Sequence, residues 1–247
     1  TANIDVFVGG TANDTFITSD ANFTAFDALS AGAGIDTLRF TDAATLTLAD
    51  LQNKTGFEII DVSAANSTVQ LNDSFAVTSA TQEVEVDNGV RTLSLDTSAV
   101  SLLRKIFVGG SGAATLAAGV QNRVFAKDAI NTTFISNGYD IMIGGTGSNT
   151  FEIDADDIWD NRGVIDGGSA GTDVINIDQV GTIDFTVATM RNIDNINVGN
   201  DATTLIMNDE NVTVVMGNGG NIFTYGNGQQ QVTIGSGNDT INIDITN

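Results

Sequence analysis

The chain carries one segment twice. Val8-Gly9-Gly10-Thr11-Ala12-Asn13-Asp14-Thr15-Phe16 returns as Ile143-Gly144-Gly145-Thr146-Gly147-Ser148-Asn149-Thr150-Phe151, an offset of 135 (144 − 9). Gly34 and Asp36 return as Gly171 and Asp173, and Phe57, Ile60, Val62, Leu71, Asn72 and Asp73 as Ile193, Ile196, Val198, Met207, Asn208 and Asp209. A duplication that keeps its apolar skeleton marks an architectural unit, because stacked repeats complete each other's cores. Beneath it runs a period of nine. From Met216 to Asn242, glycine at the second and fourth places introduces three nonapeptides, with Phe223, Val232 and Ile241 at the eighth.

Nine residues make one turn and one short strand, which buries nothing until it stacks on a neighbour. Alternating runs such as Ala44–Leu48, Val84–Val86, Thr92–Leu95 and Ile241–Ile245 place apolar side chains on one face, and Gly-Gly turns punctuate them. Two short segments, Leu48–Gln52 and Val187–Met190, read as one or two helical turns. The expected fold is all-β: a right-handed parallel β-solenoid of the β-helix or β-roll kind, built from a tandem unit of about 136 residues. Residues 1–110 form the first unit and 111–247 the second, continuous with it.

Chemistry is narrowed by what is missing. The chain has no Cys, His or Pro, which removes disulfides, thiol and imidazole catalysis, and zinc sites of the usual ligands. Acids outnumber bases 31 to 9, a net charge of −22, and Glu supplies only Glu58, Glu83, Glu85, Glu152 and Glu210. The bias to Asp favours turns and strands over a solvated helical surface. Nucleic acid is a poor partner for such a chain, and no apolar run is long enough for membrane insertion as a helix. Cations are good partners. The opening Thr1-Ala2-Asn3-Ile4 reads as a processed product or a piece of a longer polypeptide.

The Gly-Gly-x-Gly-x-Asp-x-apolar-x pattern holds Ca2+ through inward-turned glycine carbonyls and a carboxylate at the sixth place. Asp14, Asp36, Asp173 and Asp239 occupy that place here, and Asn149 and Asn221 stand there in their own repeats, offering an amide oxygen without charge. The same residues also serve as bare turns, in which Asp and Asn bond nearby backbone without metal. The acidic run Glu152–Asp160 fails as an EF-hand, because Trp159 falls where that loop requires glycine.

These residues resemble the RTX-type, calcium-binding surface-layer (S-layer) proteins of Gram-negative bacteria, including the Caulobacter kind, and the related repeats of RTX adhesins. The resemblance rests on Gly10–Phe16, on Leu29-Ser30-Ala31-Gly32-Ala33-Gly34-Ile35-Asp36-Thr37-Leu38, and on Gly56-Phe57-Glu58-Ile59-Ile60-Asp61-Val62 leading into Val69-Gln70-Leu71. It implies an exported solenoid at the bacterial cell surface, calcium at Asp14, Asp36, Asp173 and Asp239, and lateral self-assembly. The expected function is non-enzymatic and structural: a subunit that assembles with calcium into an S-layer or extracellular fibre, with cell-surface polysaccharide as a further partner. The alternatives are a spacer or binding module of a large adhesin and, third, a β-helix enzyme acting on acidic polysaccharide.

Overall fold

The computed structural model describes residues 4–72, 75, 83–99, 105–110, 112–117, 123–126, 131–136, 141–153 and 163–243. The acidic run 154–160 with Trp159 lies outside the described residues, as does the expected strand beyond residue 243. The structure is all-β, with parallel strands stacked as a β-solenoid. It divides into two compact units, residues 1–130 and 131–247.

In the first unit, strands Thr15–Thr18, Thr37–Phe40, Ile59–Asp61, Glu83–Asp87, Lys105–Val108 and Arg123–Ala126 pair in that order. A second sheet stacks Thr45–Leu46, Ser67–Asn72, Leu93–Ala99 and Ala114–Ala117. A third joins Val6–Val8, Ala28–Ser30 and Lys54–Thr55. Every pair is parallel, so each coil returns the chain one strand spacing, about 4.8 Å, further along the stack.

Alternation then sorts the side chains into columns. Leu38, Ile60, Val86 and Val108 lie one above the next and are fully buried, as are Val69 and Leu95 of the second sheet to within 1%. Each such side chain contributes about 1.5–3 kcal/mol by leaving water. One column contains a cation: Lys54 pairs with Leu29 and is only 1% exposed. Its Nζ donates to the carbonyls of Thr24 (2.6 Å) and Asp27 (2.8 Å) and lies 4.9 Å from the centre of the Phe23 ring.

The second unit is also built of stacked parallel strands. Asn131–Ile135, Ser148–Ile153, Val174–Ile177, Asn195–Val198, Val212–Val215 and Gln230–Thr233 form one sheet. Ile141–Ile143, Val164–Asp166 and Thr189–Arg191 form another, and Gly181–Asp184, Thr203–Ile206, Ile222–Thr224 and Thr240–Asn242 a third. Phe134 stacks on Phe151 with ring centroids 4.9 Å apart. Thr204 pairs with Ile222 and Ile222 with Thr240, steps of 18 (222 − 204; 240 − 222), so two nonapeptides make one coil here.

The helical expectations differ from the structure. Residues 48–53 form turns closed by Asp50 N–H to the Thr47 carbonyl and Gln52 N–H to the Ala49 carbonyl, both 3.1 Å. Thr189–Arg191 is a strand. The apolar spacing in both places serves coil corners: Leu51 is buried under the turn and Met190 faces the core. Glycine is required where rungs meet closely. Gly32 has φ +105°, and a Cβ there would collide with the Gly10 carbonyl oxygen.

Candidate functional site

The Asp and Asn residues of the glycine turns are linked from rung to rung. The Asp14 N–H donates to Asp36 Oδ1 at 2.7 Å, and the Asp36 N–H donates to Glu58 Oε2 at 2.8 Å. The Asp36 carbonyl in turn accepts from the N–H groups of Glu58 (3.1 Å) and Ile59 (3.0 Å). In the second unit the Asn149 N–H donates to Asp173 Oδ1, and the Asp173 N–H to Asp194 Oδ2, both at 2.8 Å. The Asp173 carbonyl accepts from Asp194 (3.0 Å) and Asn195 (3.1 Å). A third ladder runs from Thr203 N–H to Asn221 Oδ1 (3.1 Å) and from Asn221 N–H to Asp239 Oδ1 (2.9 Å).

The six residues singled out from sequence therefore fall into three ladders: Asp14 with Asp36, Asn149 with Asp173, and Asn221 with Asp239. Glu58 and Asp194, which complete the first two, were not singled out. Their signal was present, because they occupy the same place in the repeated Phe57 and Ile193 segments, 136 residues apart (194 − 58). What concealed it was chemistry: Glu58 sits outside any glycine motif.

Acid and amide behave differently in these turns. Asn149 Nδ2 donates to the carbonyls of Gly147 and Gly167, both at 2.8 Å, and to Asp173 Oδ1 at 2.9 Å. Asn221 Nδ2 donates to the carbonyls of Gly217 (3.0 Å) and Gly219 (3.1 Å). In both, a positive N–H2 end meets converging glycine oxygens. Asp36 has no such donor to offer. It is completely buried, and its Oδ2 has no hydrogen-bond partner.

Asp14 is half-buried and its Oδ2 accepts from its own turn, from Gly10 N–H at 2.7 Å. Asp173 is 3% exposed. Burial pushes its carboxyl above the ordinary value, the Asn149 backbone and amide donors pull it back, and the like charges of Asp194 and Asp166 add to the rise.

A buried carboxylate oxygen without a donor, on a rung between those of Asp14 and Glu58, is the type of group a hard cation such as Ca2+ accepts. The fit is partial: among the described residues no group of three or more acidic side chains converges closely enough to hold a metal by carboxylates alone. Carbonyls and water would supply the remaining ligands. Among the described residues, Arg39 Nε donates to Asp61 at 2.6 Å and Arg191 Nε to Asp166 at 2.7 Å.

No family model matches the chain, and no curated protein matches it in sequence. Among the described residues no helix is long and apolar enough to cross a membrane.

Proposed function

We propose that this protein is a non-enzymatic structural component of the bacterial cell surface that assembles with copies of itself, under calcium, into an S-layer or extracellular fibre. The observation that carries the reading is the Asp36 carboxylate, wholly buried with one oxygen lacking a donor, between acidic neighbours on the adjoining rungs. Calcium at Asp36, and at its counterpart Asp173, neutralises charge that burial otherwise makes costly. Binding to the folded state alone then makes stability, and any assembly of folded chains, depend on external calcium. At the Asn149 and Asn221 turns the amide N–H2 takes the place of the cation, so calcium is sparse along the stack. The net charge of −22 sets the repulsion that the ion offsets. Cell-surface polysaccharide is the proposed anchor.

Light scattering and circular dichroism during a calcium titration, with magnesium as control, test this. Strand signal strengthening and large particles forming with calcium and not magnesium are expected. A folded monomer indifferent to calcium would overturn it.

A further inference from the structure

One flank of the second unit narrows partway along its stack. Asp184 pairs with Ile206, a coil of 22 residues (206 − 184), and Ile206 with Thr224, a coil of 18 (224 − 206). Thr189–Arg191 is the last strand of its sheet. Its Thr189 N–H donates back to the Gly163 carbonyl at 2.9 Å, and its Arg191 carbonyl accepts from the Gly167 N–H at 3.1 Å. Of the groups that face forward, the Met190 carbonyl accepts from Asn208 Nδ2 at 3.4 Å, and the Asn192 N–H beyond the strand donates to Glu210 Oε1 at 3.0 Å. Side chains of the next, shorter coil thus take the place of a following strand. The recess on this flank is a groove of about 600 Å³ walled by three successive coils: Thr186 and Thr189 on the first, Met207 and Asp209 on the second, Tyr225 and Asn227 on the third. It lies along the side of the stack, within one unit, and its size is that of a small-molecule site.

The groove joins an apolar floor to walls that both donate and accept. Met190 and Met207 are buried beneath it, and the half-buried Tyr225 ring is set edge-on to Phe223, with centroids 4.8 Å apart and planes at 84°. Among the described residues the hydroxyls of Thr189 and Tyr225 and the carboxamide of Asn227 have no hydrogen-bond partner. Thr224 Oγ1 accepts from Asn242 Nδ2 at 3.2 Å and keeps its proton to donate. Asp209 Oδ1 accepts from the Asn227 N–H at 3.2 Å, which leaves Oδ2 as an acceptor. A cation uses only the acceptors of such a set and an anion only the donors, whereas a ligand whose own hydroxyls donate and accept uses both. An anion is disfavoured further by Asp184, Asp209 and Glu210 on these coils, in a chain of net charge −22. Hydroxyls around a ring that also presents an apolar C–H face describe a neutral sugar.

We propose that this groove binds a neutral glycan chain, with one sugar ring resting its C–H face on Tyr225 and sharing its hydroxyls among Thr189, Thr224, Asn227 and Asp209. An amphipathic ring beside fixed polar groups gives the sugar both a platform and an orientation. This inference rests on the polysaccharide partner in the proposed function and gives that partner a site and a charge class, but it does not rest on calcium or on self-assembly.

The test titrates the full chain with cellohexaose, mannohexaose and chitohexaose, with hexagalacturonate as the anionic control and spermine as the cationic one, followed by calorimetry and by the Tyr225 ring resonances. Binding of at least one neutral oligosaccharide is expected, with a shift at Tyr225, and neither control should displace it. Tyr225→Ala should weaken that binding about tenfold by removing the platform. Thr189→Val, which keeps the side chain's shape and removes one hydroxyl, should weaken it several-fold, as should Tyr225→Phe. Because Tyr225 also packs on Phe223, circular dichroism of each variant is read beside its titration, and the Val and Phe variants carry the test if the Ala variant unfolds. Failure of every neutral oligosaccharide to bind, binding that the variants leave unchanged, or spermine binding that is lost in Asp209→Asn would each overturn the groove as a glycan site. Those outcomes leave calcium-dependent assembly, scored separately by light scattering, where it stands; a chain that binds the neutral sugar yet never assembles would sink the lattice and keep the groove.

Discussion

Asp14 donates its backbone N–H to Asp36 Oδ1, 2.7 Å away and 22 residues later, and so ties one rung to the next through a side chain that is itself fully buried. The glycine turns are also tied by backbone bonds such as Ala33 N–H to the Gly10 carbonyl at 3.1 Å, and the Asp36 carboxylate adds a side-chain tie to them. Asp36 thus has a structural duty whether or not a cation is present. Its two oxygens divide the work: Oδ1 holds the preceding rung and Oδ2 has no donor.

Replacing Asp36 separates those duties. Asp36→Ala should cost about 1–3 kcal/mol of stability, through the orphaned Asp14 N–H. Asp36→Asn keeps an acceptor and adds the N–H2 group that Asn149 and Asn221 direct at glycine carbonyls. It should retain stability without calcium and lose the added stability that calcium confers. Urea midpoints with calcium and with chelator would check both; an Asn variant that still gains from calcium would remove Asp36 from the cation's ligands.

Asp173 should make the protein less stable as pH rises out of the acid range. Burial is the main cause of its raised carboxyl, opposed by Asn149 and reinforced by Asp194 and Asp166. A carboxyl raised in the folded state binds its proton more tightly there than in the unfolded chain. Its favourable contribution is therefore complete below the ordinary value of 3.8 and declines as pH rises through the folded value. Asp173→Asn should flatten that decline in thermal melts followed from pH 3 to 7 in chelator.

Asp61 carries the opposite sign. Burial raises its carboxyl, but the Ser63 hydroxyl and backbone N–H and the Arg39 guanidinium outweigh this and hold it below 3.8. Its contribution is present above 3.8 and is lost as pH falls through the lower folded value. Arg39→Ala should move that acid-side loss to higher pH, measured in the same melts, whereas an unchanged acid limb would mean that Ser63 alone sets it.

Lys54 tests the cation buried in the apolar column. Lys54→Ala should cost about 3 kcal/mol, from the space left beneath Leu29 and the loss of the donor shared by Thr24 and Asp27. Burial lowers the Lys54 ammonium from 10.5, with Asp27 and Asp50 opposing. In the window below 10.5 the unfolded chain binds the extra proton, so stability should rise with pH there. Chemical denaturation at pH 8 and pH 10 would show the slope in the parent and its absence in Lys54→Met.

Gly32→Ala should destabilise by about 1–3 kcal/mol, since φ +105° and the Gly10 carbonyl both exclude a Cβ. Gly10→Ala, where the nearest atom to an added Cβ is Asp14 Oδ2 at 3.8 Å, is the matched control and should cost less. Equal losses in the two would argue against rung spacing as the cause.

Much of this fold lies within reach of nine consecutive residues. Apolar alternation and paired glycines are local, and they are enough to specify short strands, tight turns and stacking, as well as Asp14, Asp36, Asp173 and Asp239 as turn acids. The offset of about 136 even aligns Glu58 with Asp194. The partners of those acids are not local. Asp14 reaches Asp36 after 22 residues, Asn149 reaches Asp173 after 24 and Asn221 reaches Asp239 after 18, because each coil closes at its own length. Coil length depends on how the corners pack, and the corners at Leu51 and Met190 are those whose apolar spacing imitates a helix. The same dependence hides Lys54, a surface residue by type, which the closure of one coil places under Leu29 and between two carbonyls. Side-chain alternation is written into the backbone's period of two, whereas which rung meets which carboxylate is settled only when separate coils are brought to one strand spacing.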